Sequence, residues 1–258
     1  MPLTIRAHGA DTGMLRSVAA IRGYAQSLAA VAGPFGHVGT YLHGSVALGG
    51  FDPERSDVDV LIVLASELSA TVQRELGDRL RAAGLPCPGT GLECSVITAA
   101  TAASVGECPF EIHVAVSPSE AKVVPGAGHA GDPDLVLYVE VCRRSAIAAA
   151  GPPPGSVFGA VPAERLCAAV AAELDWGLAE APFHYAVLNA CRAMRYAVDG
   201  ALVSKVAGAE WYLNRAAAPD TALVRAALAR QRGEAVDSPP AEAVAAFVTA
   251  ARGTLRKS

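Results

Sequence analysis

Asp57 and Asp59 are separated by one residue and followed by the aliphatic run Val60-Leu61-Ile62-Val63-Leu64. On a strand, side chains alternate faces, so the two carboxylates point the same way, about 7 Å apart along the chain. A buried strand does not normally carry two carboxylates on one face, because each loses its hydration there. Such a pair is either matched by cations or holding a metal. Upstream, Gly44 permits close backbone approach, and Ser45 offers a hydroxyl and an amide N–H, a turn able to grip a phosphate. Eleven residues lie between Ser45 and Asp57, enough for a helical turn and a return on the neighbouring strand. A phosphate grip beside paired acids favours the metal, and suits Mg²⁺-dependent phosphoryl or nucleotidyl transfer.

The pattern Gly44-Ser45, a Gly-rich spacer and Asp57-Val58-Asp59 resembles the nucleotidyltransferase superfamily with the polymerase β-like palm. In that superfamily a third carboxylate sits on a strand beside the Asp pair. Glu93, near the start of the strand expected over residues 91–97, is the candidate.

The elements that must position these residues follow from periodicity and punctuation. Apolar spacing predicts a helix over residues 11–32, capped by Asp11 or Thr12 and stopped by Gly33-Pro34. Strands are expected over 37–42 and 57–64, a helix over 69–83, and strands over 91–97 and 110–116. The last carries Glu111 and His113 on one half-exposed face. Asp132-Pro133 reads as the cap and first turn of a helix over 132–150. Gly151-Pro152-Pro153-Pro154-Gly155 is incompatible with helix and is taken as the domain boundary. The expected organisation is α+β. A mixed sheet with helices occupies residues 1–150, and an all-α bundle occupies 151–258, with helices near 162–178, 183–199, 204–216, 219–231 and 239–255.

Within the bundle, Val187, Ala190, Cys191, Met194, Ala197 and Val198 form an apolar stripe at helical spacing. Arg192 lies nearly opposite it, facing either water or the other domain. Ser204 reads as an N-cap with Lys205 just inside the helix. A lysine there opposes the helix dipole unless an anion sits at that end; otherwise it is a solvated surface residue.

Composition bounds the rest. With 52% hydrophobic and 18% charged residues, the chain can bury a sizeable core and is not a disordered sequence. A net charge of −4 and a sequence pI near 5.9 give no basic stripe for nucleic acid. The acidic bias suits a cationic substrate but is too small to decide anything. Six cysteines show no C-x-x-C and no zinc-ligand spacing, which points to reduced thiols in a cytoplasmic protein. No export signal and no membrane span is evident.

From about Gly39 to Arg215 the chain resembles the aminoglycoside adenylyltransferases that modify streptomycin and spectinomycin, the 3″(9)-type enzymes. The similarity runs through LHGSVALGGFDPERSDVDVLIV, LECSVIT, PFEIHV, DPDLVLYVEVCRRSAIAAAGP and ACRAMRYAVDGALVSKVAGAEW. The last block is absent from the wider superfamily pattern. The resemblance implies transfer of AMP from ATP to a hydroxyl of an aminoglycoside or aminocyclitol, by a monomer, with release of pyrophosphate. Asp57 and Asp59 correspond to the Mg²⁺ ligands. Glu93 corresponds to the third acid, which doubles as general base. Gly44, Ser45 and Ser56 fall at nucleotide contacts, as does Asp134 at the domain junction. Arg192 and Lys205 correspond to the residues that clamp the triphosphate, so that both domains serve one cleft.

Two positions depart from the family pattern. An acid expected near Pro182 is absent, and so is an aromatic expected near Gln231 against the adenine. Trp176 remains in the acceptor region, with Asp175 and Glu180 as the acids left to contact a cationic substrate. Two other readings compete. One is nucleotidyl transfer to a non-antibiotic acceptor, a biosynthetic sugar or a protein. The other is a non-catalytic nucleotide-binding regulator, against which the retained acids and the Arg192 and Lys205 pair argue.

Overall fold

The computed structural model describes residues 10–215 and 219–256, with residues 10–17 described by their backbone alone. The chain divides into two compact units. Met1–Ala47 and Phe51–Ala160 make the first; Leu48–Gly50 and Val161–Ser258 make the second.

The first unit is organised by its aliphatic runs. These become β1 (His37–Leu42), β2 (Val58–Leu64) and β3 (Leu92–Thr98), joined by β4 (Ile112–Val116), β5 (Ala121–Pro125) and β6 (Ile147–Ala150). The six strands form one mixed sheet in the order β5-β4-β3-β2-β1-β6. The β2–β3 pairing is parallel and the others are antiparallel. A parallel pair needs a crossover rather than a hairpin. Helix α3 (Ala70–Ala83), in the connection between β2 and β3, follows Ser69, whose hydroxyl accepts from Val72 N. Helix α1 (Ala10–Ala32) buries Ile21, Ala25 and Leu28 in the same core as Val60, Ile62 and Leu64 of β2. The Asp11 or Thr12 cap expected for α1 falls on side chains outside the described ones. Two short helices, α2 (Gly44–Ala47) and α4 (Ala99–Ala103), follow β1 and β3.

The helix expected over 132–150 is corrected. Helix α5 spans only Leu135–Ser145, and Ala146 turns extended, with φ −60° and ψ 149°. Ile147–Ala150 then pairs antiparallel with β1. The Ala-rich run has good helix propensity, but it covers a sheet edge that would otherwise leave backbone groups unpaired. Asp132 is not the helix cap either; its Oδ1 accepts from Asp134 N at 3.0 Å, in the turn before α5. β5 was not anticipated from sequence. Glu111 is also not half-exposed: it is 5% accessible and accepts from Leu68 N and Gln73 Nε2.

The second unit carries α6 (Ala163–Glu180), α7 (Phe183–Asp199), α8 (Lys205–Leu213), α9 (Thr221–Gln231) and α10 (Ala241–Leu255). Val187, Ala190, Cys191 and Met194 of α7 are buried in one core with Ala209, Val224 and Phe247 from three of the other helices. Ala197 also packs on this core, and the stripe ends short of Val198, which is 63% exposed. Helix α7 stops at Gly200, whose left-handed φ of 70° favours glycine. All six cysteines are free thiols.

Candidate functional site

The β1–β2 connection brings backbone against a carboxylate. His43 N donates to Asp59 O at 3.1 Å, and Ser45 N donates to Asp59 Oδ2 at 3.3 Å. Gly44 has φ 52°, and a β-carbon there would fall into the Asp59 carboxylate. Glycine is therefore needed both for the backbone conformation and for the approach. The Ser45 hydroxyl oxygen is buried without a hydrogen-bond partner. A buried hydroxyl left unsatisfied costs free energy unless a ligand or water completes it.

Asp57 stands one residue ahead of β2, exposed, with Oδ1 accepting from Thr90 Oγ1 at 2.6 Å. Val58, between the two acids, is buried, as the alternation of a strand requires. Ser56 closes the preceding loop: its hydroxyl accepts from Asp52 N at 3.1 Å and its carbonyl accepts from Thr90 N at 2.9 Å.

Glu93 is the register partner of Asp59 across the parallel pair. Its Oε1 accepts from the Tyr138 hydroxyl at 3.1 Å. Burial first, and then the Asp59 charge, push the Glu93 carboxyl above its ordinary value. His113 and the Tyr138 hydrogen bond oppose that rise, and Asp57 adds a smaller repulsion. His113 itself pairs its Nδ1 with Ser95 Oγ at 3.1 Å. The Tyr138 ring rests against His43, centroids 4.9 Å apart. His43 is fully enclosed, and burial pushes its pKa down to about 4. Asp134 sits at the N-cap of α5, one turn before Tyr138, with its side chain exposed.

In the second unit, Ser204 caps α8, accepting from Ala207 N at 3.2 Å, with Lys205 as the first helical residue. Arg192 Nε donates to Val203 O and Nη1 donates to Asn189 Oδ1, both at 2.9 Å. Gly208 lets α8 lie close on α7, because a β-carbon there would crowd Arg192. The Lys205 ammonium stands 4.0 Å from the centre of the Tyr185 ring. Trp176 is 51% exposed and meets Tyr185 edge-on, centroids 5.5 Å apart. Asp175 is ion-paired with Arg252. Glu180 is exposed at the last residue of α6.

Asp59 and Glu93 thus stand in register at one end of two adjacent strands, with Asp57 just ahead of β2 at the same end. Among the described residues, no three His, Cys, Asp or Glu side chains make a ready-formed metal cluster. The donor set still fits Mg²⁺, a hard cation held through one or two carboxylates plus phosphate oxygens and water rather than an all-protein cage. Sequence reasoning passed over Tyr138, Tyr185, Glu173 and Asn189. The one signal available was Asn189, three residues before Arg192 and on the same side of α7, away from the apolar stripe.

A mixed sheet with Asp59 on a central strand and Asp57 just ahead of it, followed by a helical unit, fits a nucleotidyltransferase, and residues 29–98 match the nucleotidyltransferase domain. Residues 156–254 match the aminoglycoside adenylyltransferase C-terminal domain. The two matches together support an aminoglycoside adenylyltransferase of the nucleotidyltransferase superfamily. It shares its fold with the crystal structure of spectinomycin adenyltransferase AAD(9) from Enterococcus faecialis with ATP and spectinomycin. That likeness has a TM-score of 0.64 and 14% identity, and covers 95% of this chain and 99% of the other. No curated protein sequence matches the chain significantly. Among the described residues, no helix is long and apolar enough to cross a membrane.

Proposed function

We propose that this enzyme transfers AMP from ATP to a hydroxyl of an aminoglycoside or aminocyclitol of the spectinomycin or streptomycin kind, releasing pyrophosphate. The observation that carries the reading is the meeting of Asp57, Asp59 and Glu93 beside the unpartnered Ser45 hydroxyl. The family and the ATP- and spectinomycin-bound neighbour support ATP as donor and a small cationic acceptor.

Asp57 and Asp59, with Glu93 as the third acid, would hold Mg²⁺, which when bound would neutralise charge on the reacting phosphates. Ser45 binds phosphate oxygen through its hydroxyl, and Ser56 and Asp134 contact the nucleotide. Glu93 takes the proton of the acceptor hydroxyl as that oxygen bonds to the α-phosphorus. Before a cation binds, burial and the Asp59 charge hold its carboxyl above the value of an exposed glutamate. The bond from the α-phosphorus to the bridging oxygen breaks, and pyrophosphate departs with its charge held by Arg192 and Lys205. Trp176 offers an exposed aromatic face to the acceptor and Glu180 an exposed carboxylate; Asp175 contributes only if it leaves Arg252.

The test is pyrophosphate release from Mg²⁺-ATP across streptomycin, spectinomycin and other aminocyclitols, with mass analysis of the acceptor. A gain of one AMP on one of them is expected. ATP binding without pyrophosphate release across the whole panel would overturn the proposal.

A further inference from the structure

Glu173 lies on α6 and is half-buried. Its Oε1 accepts two hydrogen bonds, from the Tyr185 hydroxyl at 2.7 Å and from Asn189 Nδ2 at 3.0 Å. Tyr185 and Asn189 are four residues apart on α7, so both project from one face of that helix. Asn189 is itself buried. Its amide has a donor end and an acceptor end, and the neighbours decide which goes where. A carboxylate only accepts, so Nδ2 turns toward Glu173. A guanidinium only donates, so Oδ1 turns toward Arg192 Nη1. With Nε held by Val203 O, the guanidinium is fixed at two points. On the other branch, Tyr185 spends its hydroxyl on Glu173 while its ring lies under the Lys205 ammonium. Burial and the Glu173 charge raise the Tyr185 pKa, which keeps that hydroxyl a donor.

We infer that Glu173 is a positioning residue for the phosphate-holding cations, orienting Arg192 through the Asn189 amide and Lys205 through the Tyr185 ring. The inference rests on the reading above that Arg192 and Lys205 hold the triphosphate. Its physical content is the indirectness of the contact. A carboxylate bonded straight to either cation would compete with phosphate for it. Acting one side chain away, Glu173 fixes geometry without itself competing with phosphate for either cation. Cations already oriented need little reorganisation when the ligand arrives.

Calorimetric titration of Mg²⁺-ATP, without acceptor, tests this on the full-length protein. The set is Glu173→Ala, Glu173→Gln, Arg192→Ala, Lys205→Ala, and Glu173→Ala combined with each cation variant. Glu173→Ala should weaken ATP about tenfold, the scale of one lost hydrogen bond in a network. That loss should shrink when Arg192 or Lys205 is already absent, because the interaction it supports is gone. Glu173→Gln keeps the shape and should fall between; it carries the same comparison if the alanine variant does not fold. Additive losses, or ATP affinity unchanged in Glu173→Ala, would overturn the inference. If Arg192→Ala and Lys205→Ala both leave ATP affinity intact, the triphosphate reading fails first and takes this one with it.

Discussion

Asp59 and Glu93 face each other across the parallel pairing of β2 and β3, two carboxylates in register at one end of the sheet. Their repulsion, added to burial, holds the Glu93 carboxyl above its ordinary 4.5. An acid whose folded-state value is raised stabilises the fold below its unfolded value and loses that contribution as pH rises through the raised one. At neutral pH the ionised Glu93 therefore costs stability. Glu93→Gln should melt higher than the parent at pH 7 without added divalent cation, by about 2–4 °C for each kcal/mol relieved. The gap should close below pH 4.5. The same variant should lose turnover by roughly 10²-fold or more while binding ATP almost normally. Pyrophosphate release and calorimetry check the two halves; unchanged turnover would remove Glu93 from the mechanism.

Tyr138 separates placement of that base from its chemistry. Its hydroxyl holds Glu93 Oε1 at 3.1 Å. Tyr138→Phe keeps the ring against His43 and deletes only the donor. A hydrogen bond to a charged group is worth about 1.5–3 kcal/mol, so turnover should fall about tenfold or more. ATP affinity should stay within about twofold, since the deleted hydroxyl bonds Glu93, and the link from Tyr138 to Asp134 is a backbone hydrogen bond that the variant keeps. A matching fall in ATP affinity would mean that Tyr138 supports the whole sheet end instead.

Gly44 is tested by a single methyl group. Alanine there must take a left-handed φ and push a β-carbon into the Asp59 carboxylate. The backbone term alone costs about 1–2 kcal/mol, a fall of about 2–8 °C in melting temperature. Turnover should be lost with it, because Asp59 has to move. An active, undiminished Gly44→Ala enzyme would show that the close approach serves no purpose.

His43 sets an acid limit. It is enclosed and neutral, its pKa pushed from 6.5 down to about 4. A base with a lowered folded-state value destabilises the fold as pH drops from the unfolded value to the folded one. Between about pH 6.5 and 4 the native state should lose about 3 kcal/mol through this one ring. Denaturant midpoints measured across that range should fall less steeply in His43→Gln than in the parent. Parallel slopes would mean that His43 titrates alike in both states.

Local signals carried the elements whose boundaries depend on neighbouring residues. β1 runs over the residues expected for it, His37–Leu42, and α7 over Phe183–Asp199. An aliphatic run defines the first, and an apolar stripe ending at a left-handed glycine defines the second. Ser204 caps α8 as its hydroxyl suggested, and Ser69 caps α3 in the same way. The nearness of Asp57 and Asp59 was legible because they stand one residue apart in the chain; the structure puts Asp59 on β2 and Asp57 just ahead of it.

Other features depended on contacts between distant parts of the chain. Ile147–Ala150 has no strand signature; it became β6 because β1 offered an unpaired edge to a run equally able to be helix. Tyr138 lies 45 positions from Glu93, and its hydroxyl acquires a role only after α5 packs beside β3. Glu173 reads as an ordinary helical acid until α6 meets α7 and gives it Tyr185 and Asn189. The chain's own order was enough to single out the acids and cations proposed for the site. Which side chains come within hydrogen-bond distance of them was decided by packing, because a hydrogen bond reaches only about 3 Å and linear spacing does not say which side chains come that close.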